Sequence, residues 1–370
     1  MVPAAGEHAI VSNGHNVALT GDATVGSVEI GTGAALSLGS HQFTLNIGGI
    51  VNNGTLNIGT STINYAASGN QTVDVLNYYN VTVSGTGAKT LAGDITIQNN
   101  LLIYGLPASL SLVANNFDIN LQGDWQSTAT FVPGTGNVNI TGTVNQLVEN
   151  TNGVEIFYNL NIQNPLGVSM SSNVTITDTL KMNGGNINTS TYKIVIGTGA
   201  GNAGGIARNS GYVNGNLERW VVSNVPYVFP IQKNANVREV SMQFANVTTP
   251  GSIQIGFEEM APGNNGLPMV EGSVNVTSTY AQGYWTVQEI NNVNFAGGYN
   301  ISLRAGGFSI NPDVRVVSRP DATTDWLLNG THAPAVGNLA YRNVVTIYPA
   351  IGPLHKPTVA CLVPWLTLPP

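Results

Sequence analysis

Residues 79–83 read Tyr-Asn-Val-Thr-Val, and residues 158–162 read Tyr-Asn-Leu-Asn-Ile. Both stretches alternate polar and apolar side chains, and successive side chains of a β-strand point to opposite faces. The alternation therefore predicts strands with an apolar interior face and an outer face of Thr and Asn. The same shift along the chain aligns Asp94-Ile-Thr-Ile97 with Asn173-Val-Thr-Ile176. The two stretches thus belong to a repeat.

A second set of matches has a slightly shorter spacing. It places Leu36-Ser-Leu38 on Leu110-Ser-Leu112, and Asn70-Gln71 on Asn145-Gln146. About 200 residues are thus built from a unit of about 75, which is typical of stacked repeat architectures. We predict an all-β fold whose residues 1–205 form a repetitive β-solenoid. Parallel stacking fits a long repeat best, although antiparallel hairpins in a barrel or sandwich give the same alternation.

The composition favours a β-rich secreted protein. Only 8% of the residues are charged and 42% are hydrophobic, against a usual charged share of about 25%. No apolar run approaches the roughly 18–20 residues of a spanning helix, so we expect no membrane span. Residues 1–205 hold three lysines and ten carboxylates. Nucleic acid is therefore not an expected partner, because phosphate binding needs a basic surface.

The composition changes after the glycine-rich stretch 197–205, which we take as a domain junction. Residues 206–350 contain longer strands with aromatic anchors and Pro, Gly and Asn loops, which predicts a β-sandwich-like domain. Residues 351–370 form an apolar, proline-rich tail. The seven predicted strands of the second domain are 217–222, 227–229, 240–244, 252–257, 284–287, 300–303 and 314–317.

Several segments resemble a family of large secreted proteins from Bacteroidota. Gly69-Asn-Gln-Thr-Val73 and Gly93-Asp-Ile-Thr-Ile97 are similar to the repeat regions of those proteins, and Tyr284-Trp-Thr-Val287 is similar to the domain that follows. The resemblance implies a cell-surface or extracellular location and an unassigned or adhesive role. Family members often end in a sorting domain, and no such domain follows residue 350. Residues 1–8 lack the basic and apolar segments of a signal peptide, which leaves secretion open.

The sequence contains no recognisable catalytic, metal or cofactor motif. Gly199-Ala-Gly-Asn-Ala-Gly204 has the glycine spacing of a dinucleotide loop, but the residues after it lack the helical periodicity that such a loop needs. We therefore interpret it as a turn. The five histidines have no metal-ligand spacing: they are His8, His15, His41, His332 and His355.

Some β-solenoids cleave polysaccharides, and this chemistry needs clustered carboxylates with Lys or Arg nearby. The best acid pairs are Glu258 with Glu259, and Asp321 with Asp325, all in the second domain. Adjacent glutamates on a strand point to opposite faces, which argues against a shared site for Glu258 and Glu259. We assign both acid pairs to solvated faces or loops. We predict that the protein is not an enzyme and has no cofactor. A carbohydrate-binding or polysaccharide-cleaving β-helix protein is the alternative.

Two groups of residues are candidates for binding. Tyr280 and Tyr284 are candidate glycan contacts by aromatic stacking, whereas Trp285 is assigned to the core. The tail residues Val359, Leu362, Val363, Trp365 and Leu366 are candidate assembly residues. The tail is expected either to pack on its own sandwich as a last strand or to add to a neighbouring subunit.

We therefore expect an extracellular structural or adhesive protein. Its partners would be copies of itself or other surface proteins, with glycans as a further class. Its action would come from self-assembly, into filaments for example, or from surface attachment.

Overall fold

The computed structural model describes residues 4–106, 108–346, 358–363 and 365–366, the last two segments as backbone. Strands make up 54% of the chain, and the described residues contain no helix. The first part is a parallel β-solenoid of about 11 turns, and the C-terminal part consists of antiparallel sheets. The predicted fold class is thus confirmed, and the pairing direction that the sequence left open is parallel.

The strands up to Arg208 are mostly short. They are β1 His8–Val11, β2 Asn16–Ala18, β3 Ala23–Val25, β4 Ser27–Ile30, β5 Ala35–Ser37, β6 Gln42–Leu45, β7 Ile50–Asn52, β8 Thr55–Asn57, β9 Thr62–Tyr65, β10 Gln71–Val73, β11 Asn77–Tyr78, β12 Asn80–Val83, β13 Gly87–Leu91, β14 Ile95–Ile97, β15 Leu101–Ile103, β16 Leu110–Val113, β17 Ile119–Leu121, β18 Trp125–Ser127, β19 Thr130–Val132, β20 Asn137–Ile140, β21 Gln146–Asn150, β22 Glu155–Ile162, β23 Val168–Met170, β24 Val174–Met182, β25 Ile187–Ile196 and β26 Gly205–Arg208.

The remaining strands include longer ones. They are β27 Val213–Val221, β28 Tyr227–Phe229, β29 Ile231–Lys233, β30 Asn236–Val237, β31 Val240–Thr249, β32 Gly251–Glu258, β33 Met269–Glu271, β34 Val274–Val276, β35 Tyr284–Glu289, β36 Asn294–Arg304, β37 Arg315–Arg319, β38 Thr331–Val336, β39 Leu339–Val345, β40 Thr358–Val363 and β41 Trp365–Leu366.

Parallel ladders run along the coil. The first ladder contains β3, β6, β9, β12, β15, β18, β21 and β23. The second contains β11, β14, β17, β20, β22 and β24, and the third contains β10, β13, β16 and β19. Two further ladders, β1-β4-β7 and β2-β5-β8, begin the coil. One turn of the coil, here called a rung, thus has three sides.

A rung is much shorter than the sequence repeat. Thr62 pairs with Asn80 on the next rung, and Leu101 pairs with Trp125. One rung therefore spans between a quarter and a third of the repeat. The shorter repeat spacing carries Ile63 of the first ladder onto Val138 of the second ladder, so the repeat covers about three rungs and two additional sides. It was detectable because the sides of the coil contribute similar apolar residues to one core.

Asparagine and aspartate side chains extend the backbone ladders into the turns. The side-chain oxygen of Asn80 accepts the backbone N–H of Asn100 at 3.1 Å, and that of Asn100 accepts the N–H of Asp124 at 2.8 Å. Asp124 in turn accepts the N–H of Leu147 at 2.8 Å. These side chains bond consecutive rungs at positions where irregular backbone would otherwise leave N–H groups without a partner.

Two buried glutamines bridge rungs inside the coil. The side chain of Gln71 accepts the N–H of Ala67 at 3.0 Å and donates to the carbonyl oxygens of Leu45 and Gly48. Gln146 has the matching bonds, with the N–H of Gly142 at 2.7 Å and the carbonyls of Leu121 and Gly123. The Asn-Gln match in the sequence repeat therefore marks two positions at which the glutamine makes the same hydrogen bonds between rungs.

The chain forms two compact units: residues 1–187 with 206–211 (unit 1), and residues 188–205 with 212–370 (unit 2). Unit 2 contains one antiparallel sheet in the order β27-β32-β35-β40-β37 and another in the order β28-β31-β36-β39-β38. Val287 and Val316 of the first sheet face Tyr299 and Ile301 of the second. Each of the seven strands predicted after residue 206 overlaps an observed strand, namely β27, β28, β31, β32, β35, β36 and β37.

Candidate functional site

Strand β40, the last strand but one and here called the tail strand, lies inside the first sheet of unit 2. It pairs antiparallel with β35 on one side, where Trp285 is opposite Ala360. On its other side it pairs with β37, where Val317 is opposite Cys361. We call the position between β35 and β37 the tail slot. The tail strand thus has a backbone partner on both of its edges.

Strand β37 depends on the tail strand for its place in the sheet. Within the described part of the chain, its other backbone pairing is an isolated bridge between Ser318 and Leu327, with N···O distances of 3.1 and 2.9 Å. Strand β35, by contrast, also pairs with β32. Without the tail strand, β35 would have an open edge and β37 would be detached from the ladder. An open edge of this kind readily accepts another strand.

Apolar side chains close one side of the slot. Val317 packs in a buried cluster with Val274, Val276 and Trp326. Strand β34 carries the two valines of that cluster and pairs with β41, where Val276 is opposite Trp365. The segment after the tail strand therefore returns to the same cluster. The tail strand and β41 thus pair with neighbouring strands of unit 2.

Two buried arginines share one carboxylate next to the slot. Glu271 lies 2.7 Å from Nε of Arg315 and 2.8 Å from Nη2 of Arg342. The two arginines are 5% and 1% exposed. Nε2 of His332 lies 3.1 Å from Arg315, and burial together with that guanidinium lowers the pKa of His332. This cluster is a structural ion group that ties β33, β37 and β39 together.

The candidate assembly residues all lie in the tail strand and in β41. Val359, Leu362 and Val363 belong to β40, and Trp365 and Leu366 belong to β41. Their backbone pairs within the same chain, which is the first of the two arrangements that the sequence allowed. Addition to a neighbouring subunit stays a prediction.

The candidate glycan residues take part in packing. Tyr280 is half-buried, donates to the carbonyl oxygen of Ser309 at 2.5 Å and contacts the edge of Phe308. Tyr284 is half-buried beside the cluster of Val317 and Trp326. Trp285 is fully buried, as expected. The glycan role of the two tyrosines stays a prediction.

The remaining sequence candidates are separate in the structure. Gly199 and Asn202 form an isolated bridge within a tight turn, which confirms the turn interpretation of the glycine motif. Asp321 accepts N–H and O–H groups of its own turn, and Glu259 accepts the side-chain amide of Asn234. His355 lies outside the described residues. Within the described residues, no group of three or more His, Cys, Asp or Glu side chains could hold a metal ion.

A continuous column of amides on the outer face of the solenoid was not predicted. It contains Asn120, Asn139, Asn161, Asn183 and Asn209, and we call it the amide ladder. Each Nδ2 donates to the Oδ1 of the preceding member, at 2.9, 2.9, 3.0 and 2.8 Å in that order. The sequence shows asparagines at these outward positions but gives no sign that they bond to one another, because the rung lengths vary.

A buried carboxyl group lies in the solenoid core. Glu155 is 1% exposed and accepts a hydrogen bond from Nδ2 of Asn150 at 3.2 Å. Trp125 and Phe157 are in edge-to-face contact in the same region, with ring centroids 5.1 Å apart. Burial raises the pKa of Glu155 to about 7, although contacts with Trp125, the backbone of Ile156 and Asn150 offset part of this effect. The group thus titrates near neutral pH.

Comparison of this chain with models of protein families, with curated proteins and with solved structures yields no match. In the described part of the chain, no helix is long and apolar enough to cross a membrane.

Proposed function

We propose that this chain is an extracellular structural or adhesive protein whose β-solenoid is a rigid scaffold. The observation that carries the proposal is the amide ladder, in which five outward amides bond to one another across consecutive rungs. Such side chains reinforce the backbone hydrogen bonds along the coil axis. A protein that bears load or spaces other groups apart benefits from this cohesion.

The carboxylates of the solenoid support a structural role over catalysis. Five aspartates accept a backbone N–H from a neighbouring rung, and these are Asp22, Asp74, Asp94, Asp118 and Asp124. A carboxylate that accepts such a bond is oriented toward the backbone of its own fold. This use gives five of the ten carboxylates of residues 1–205 a structural role without a reaction, and we infer that the chain is not an enzyme and needs no cofactor.

Self-assembly is the mode of action that the tail strand favours. The tail slot is built to hold an extended strand between two others, and strand addition is a common way for protein subunits to join. Copies of this chain are the first proposed partners, and other surface proteins are the second. The proposed location is the cell surface or the extracellular space, consistent with a chain that has only 8% charged residues.

Three kinds of measurement test the proposal. Antibodies against the folded chain should label intact source cells, and sedimentation velocity of the purified protein should show larger species as its concentration increases. A glycan array with lyase and hydrolase assays covers the competing carbohydrate function. Turnover of a polysaccharide, or confinement of the protein to the cell interior, would overturn the proposal.

A further inference from the structure

The tail strand has a larger structural effect than its length indicates. It is the strand through which β37 joins the sheet of β27, β32 and β35. It is also the last strand but one of the described chain, and residues 346–357 connect it to β39. β39 belongs to the other sheet of unit 2. A strand that completes a sheet and is joined to the rest of its unit through one connecting segment has the features of an element that two copies can exchange by domain swapping.

We propose that the tail slot of one copy receives the tail strand of a second copy of this chain. The hydrogen bonds that β35 and β37 make with a tail strand are the same whether the tail comes from their own chain or from another copy. The connecting segment reaches at most about 40 Å when extended, so it allows a tail to leave its own unit. This inference rests on the proposed self-assembly and names its partner and its surface.

The arrangement allows two forms of assembly. Each copy has one tail and one slot. If every copy gives its tail to the next, the contact is head-to-tail and forms open chains, whereas two copies that exchange tails form a closed dimer. Both products bury the same strand in the same slot. The experiment must therefore determine whether the tail in a slot comes from the same copy or from another copy.

The register supplies a direct chemical probe. Cys361, the single cysteine of the chain, is opposite Val317 across the antiparallel pair. Directly opposed residues in such a pair have Cα atoms about 4.5–5.5 Å apart, which suits a disulfide bond. Val317→Cys changes little volume and places a thiol across from Cys361. Val316→Cys is the matched control, because it lies opposite Leu362 and points to the other face of the strand.

The experiment mixes an acceptor and a donor. The acceptor carries Val317→Cys and Cys361→Ser, and the donor is the unaltered chain with a different tag. Both are denatured together, refolded at high protein concentration and oxidised mildly. We expect a disulfide-linked acceptor–donor pair on a non-reducing gel, at least tenfold more abundant than with the Val316→Cys, Cys361→Ser control. The thiol introduced at position 317 can reach Cys361 of the donor only when the donor tail lies in the acceptor slot.

A single chain that carries Val317→Cys and retains Cys361 shows whether the slot forms. If it gives an intrachain disulfide while the mixture gives no acceptor–donor pair above the control, the tail stays in its own slot and the inference is overturned. If the single-chain variant gives no 317–361 disulfide within or between chains, the register itself is wrong and the inference also fails. Larger species in sedimentation without the acceptor–donor pair would refute strand donation and leave the proposed self-assembly intact.

Discussion

The buried carboxyl group of Glu155 makes the stability of the solenoid depend on pH. Its folded pKa is about 7, against 4.5 for a free glutamate. Between these values the unfolded chain has lost the proton and the folded chain still holds it. The folded state then binds more protons, so the free energy of unfolding decreases as pH increases. The pKa shift corresponds to about 3 kcal/mol in the free energy of unfolding. This contribution is present below about pH 4.5 and is lost above about pH 7.

Glu155→Gln removes the titration and retains an oxygen that can accept the hydrogen bond of Asn150. We expect the variant and the unaltered protein to have similar stability near pH 4, because Glu155 is then neutral. Above about pH 7 the variant should be more stable by about 3 kcal/mol. For a unit of this size, this corresponds to a melting temperature about 6–12 °C higher. The increase should develop between about pH 4.5 and pH 7.

The assay must report on unit 1 alone. Trp125 is the one tryptophan of that unit, and its ring lies beside the carboxyl group. Incorporation of 5-fluorotryptophan gives a fluorine NMR signal for Trp125, which can be followed through urea unfolding at several pH values. Glu155→Met is the matched control, since it also abolishes titration but loses the hydrogen bond of Asn150. A stability difference between Glu155→Gln and the unaltered protein that is constant from pH 4 to pH 9 would show that folding does not raise the pKa of Glu155.

Three further substitutions test individual contacts. Gln146→Leu removes a bridge to the carbonyls of the preceding rung and should destabilise unit 1 by about 3 kcal/mol, as measured by urea unfolding; a loss below about 1 kcal/mol would contradict the bridging role. Glu271→Gln leaves Arg315 and Arg342 buried without their carboxylate and should cost about 3 kcal/mol in unit 2; an unchanged melting temperature would argue against the ion group. Gly167→Ala should destabilise unit 1 by about 2 kcal/mol or more. Gly167 has φ +78°, and an added Cβ would lie 2.1 Å from the carbonyl oxygen of Asn186. Gly69→Ala is the control in the same thermal scan, because a Cβ at that position meets nothing within 4 Å.

The alternation of side chains predicted much of the solenoid core. Residues 43–47 read Phe-Thr-Leu-Asn-Ile, and the alternation predicts that Phe43, Leu45 and Ile47 are all buried. Phe43 and Leu45 are buried, but Ile47 is 61% exposed. The strand ends at Leu45, and the alternation of a strand does not continue through a turn. The direction of pairing could not be predicted, because parallel and antiparallel strands share the period of two.

The contacts that join rungs could not be predicted from the sequence for a different reason. The alternation places Asn139 and Asn161 on the outer face of the coil, where they are 8% and 7% exposed because their amides stack in the amide ladder. Their pairing depends on rung lengths that vary along the chain, and no local pattern encodes those lengths. Gln71 and Gln146 were visible as a repeated pair, and that repeat was the available signal for their bridging role. The tail slot required knowledge of which strands flank β40, which follows from the folded topology alone.

We infer that this chain is a structural protein whose copies assemble through the tail strand, and electron microscopy over a range of protein concentrations distinguishes such assembly from a monomeric protein. The unaltered chain is imaged beside its Val317→Cys variant oxidised at high dilution, in which the 317–361 disulfide holds each tail in its own slot. We expect dimers or filaments of the unaltered chain whose abundance rises with concentration, and monomers of the oxidised variant. Isolated monomers of the unaltered chain at every concentration, or equal assembly of both proteins, would show that the tail strand does not join copies.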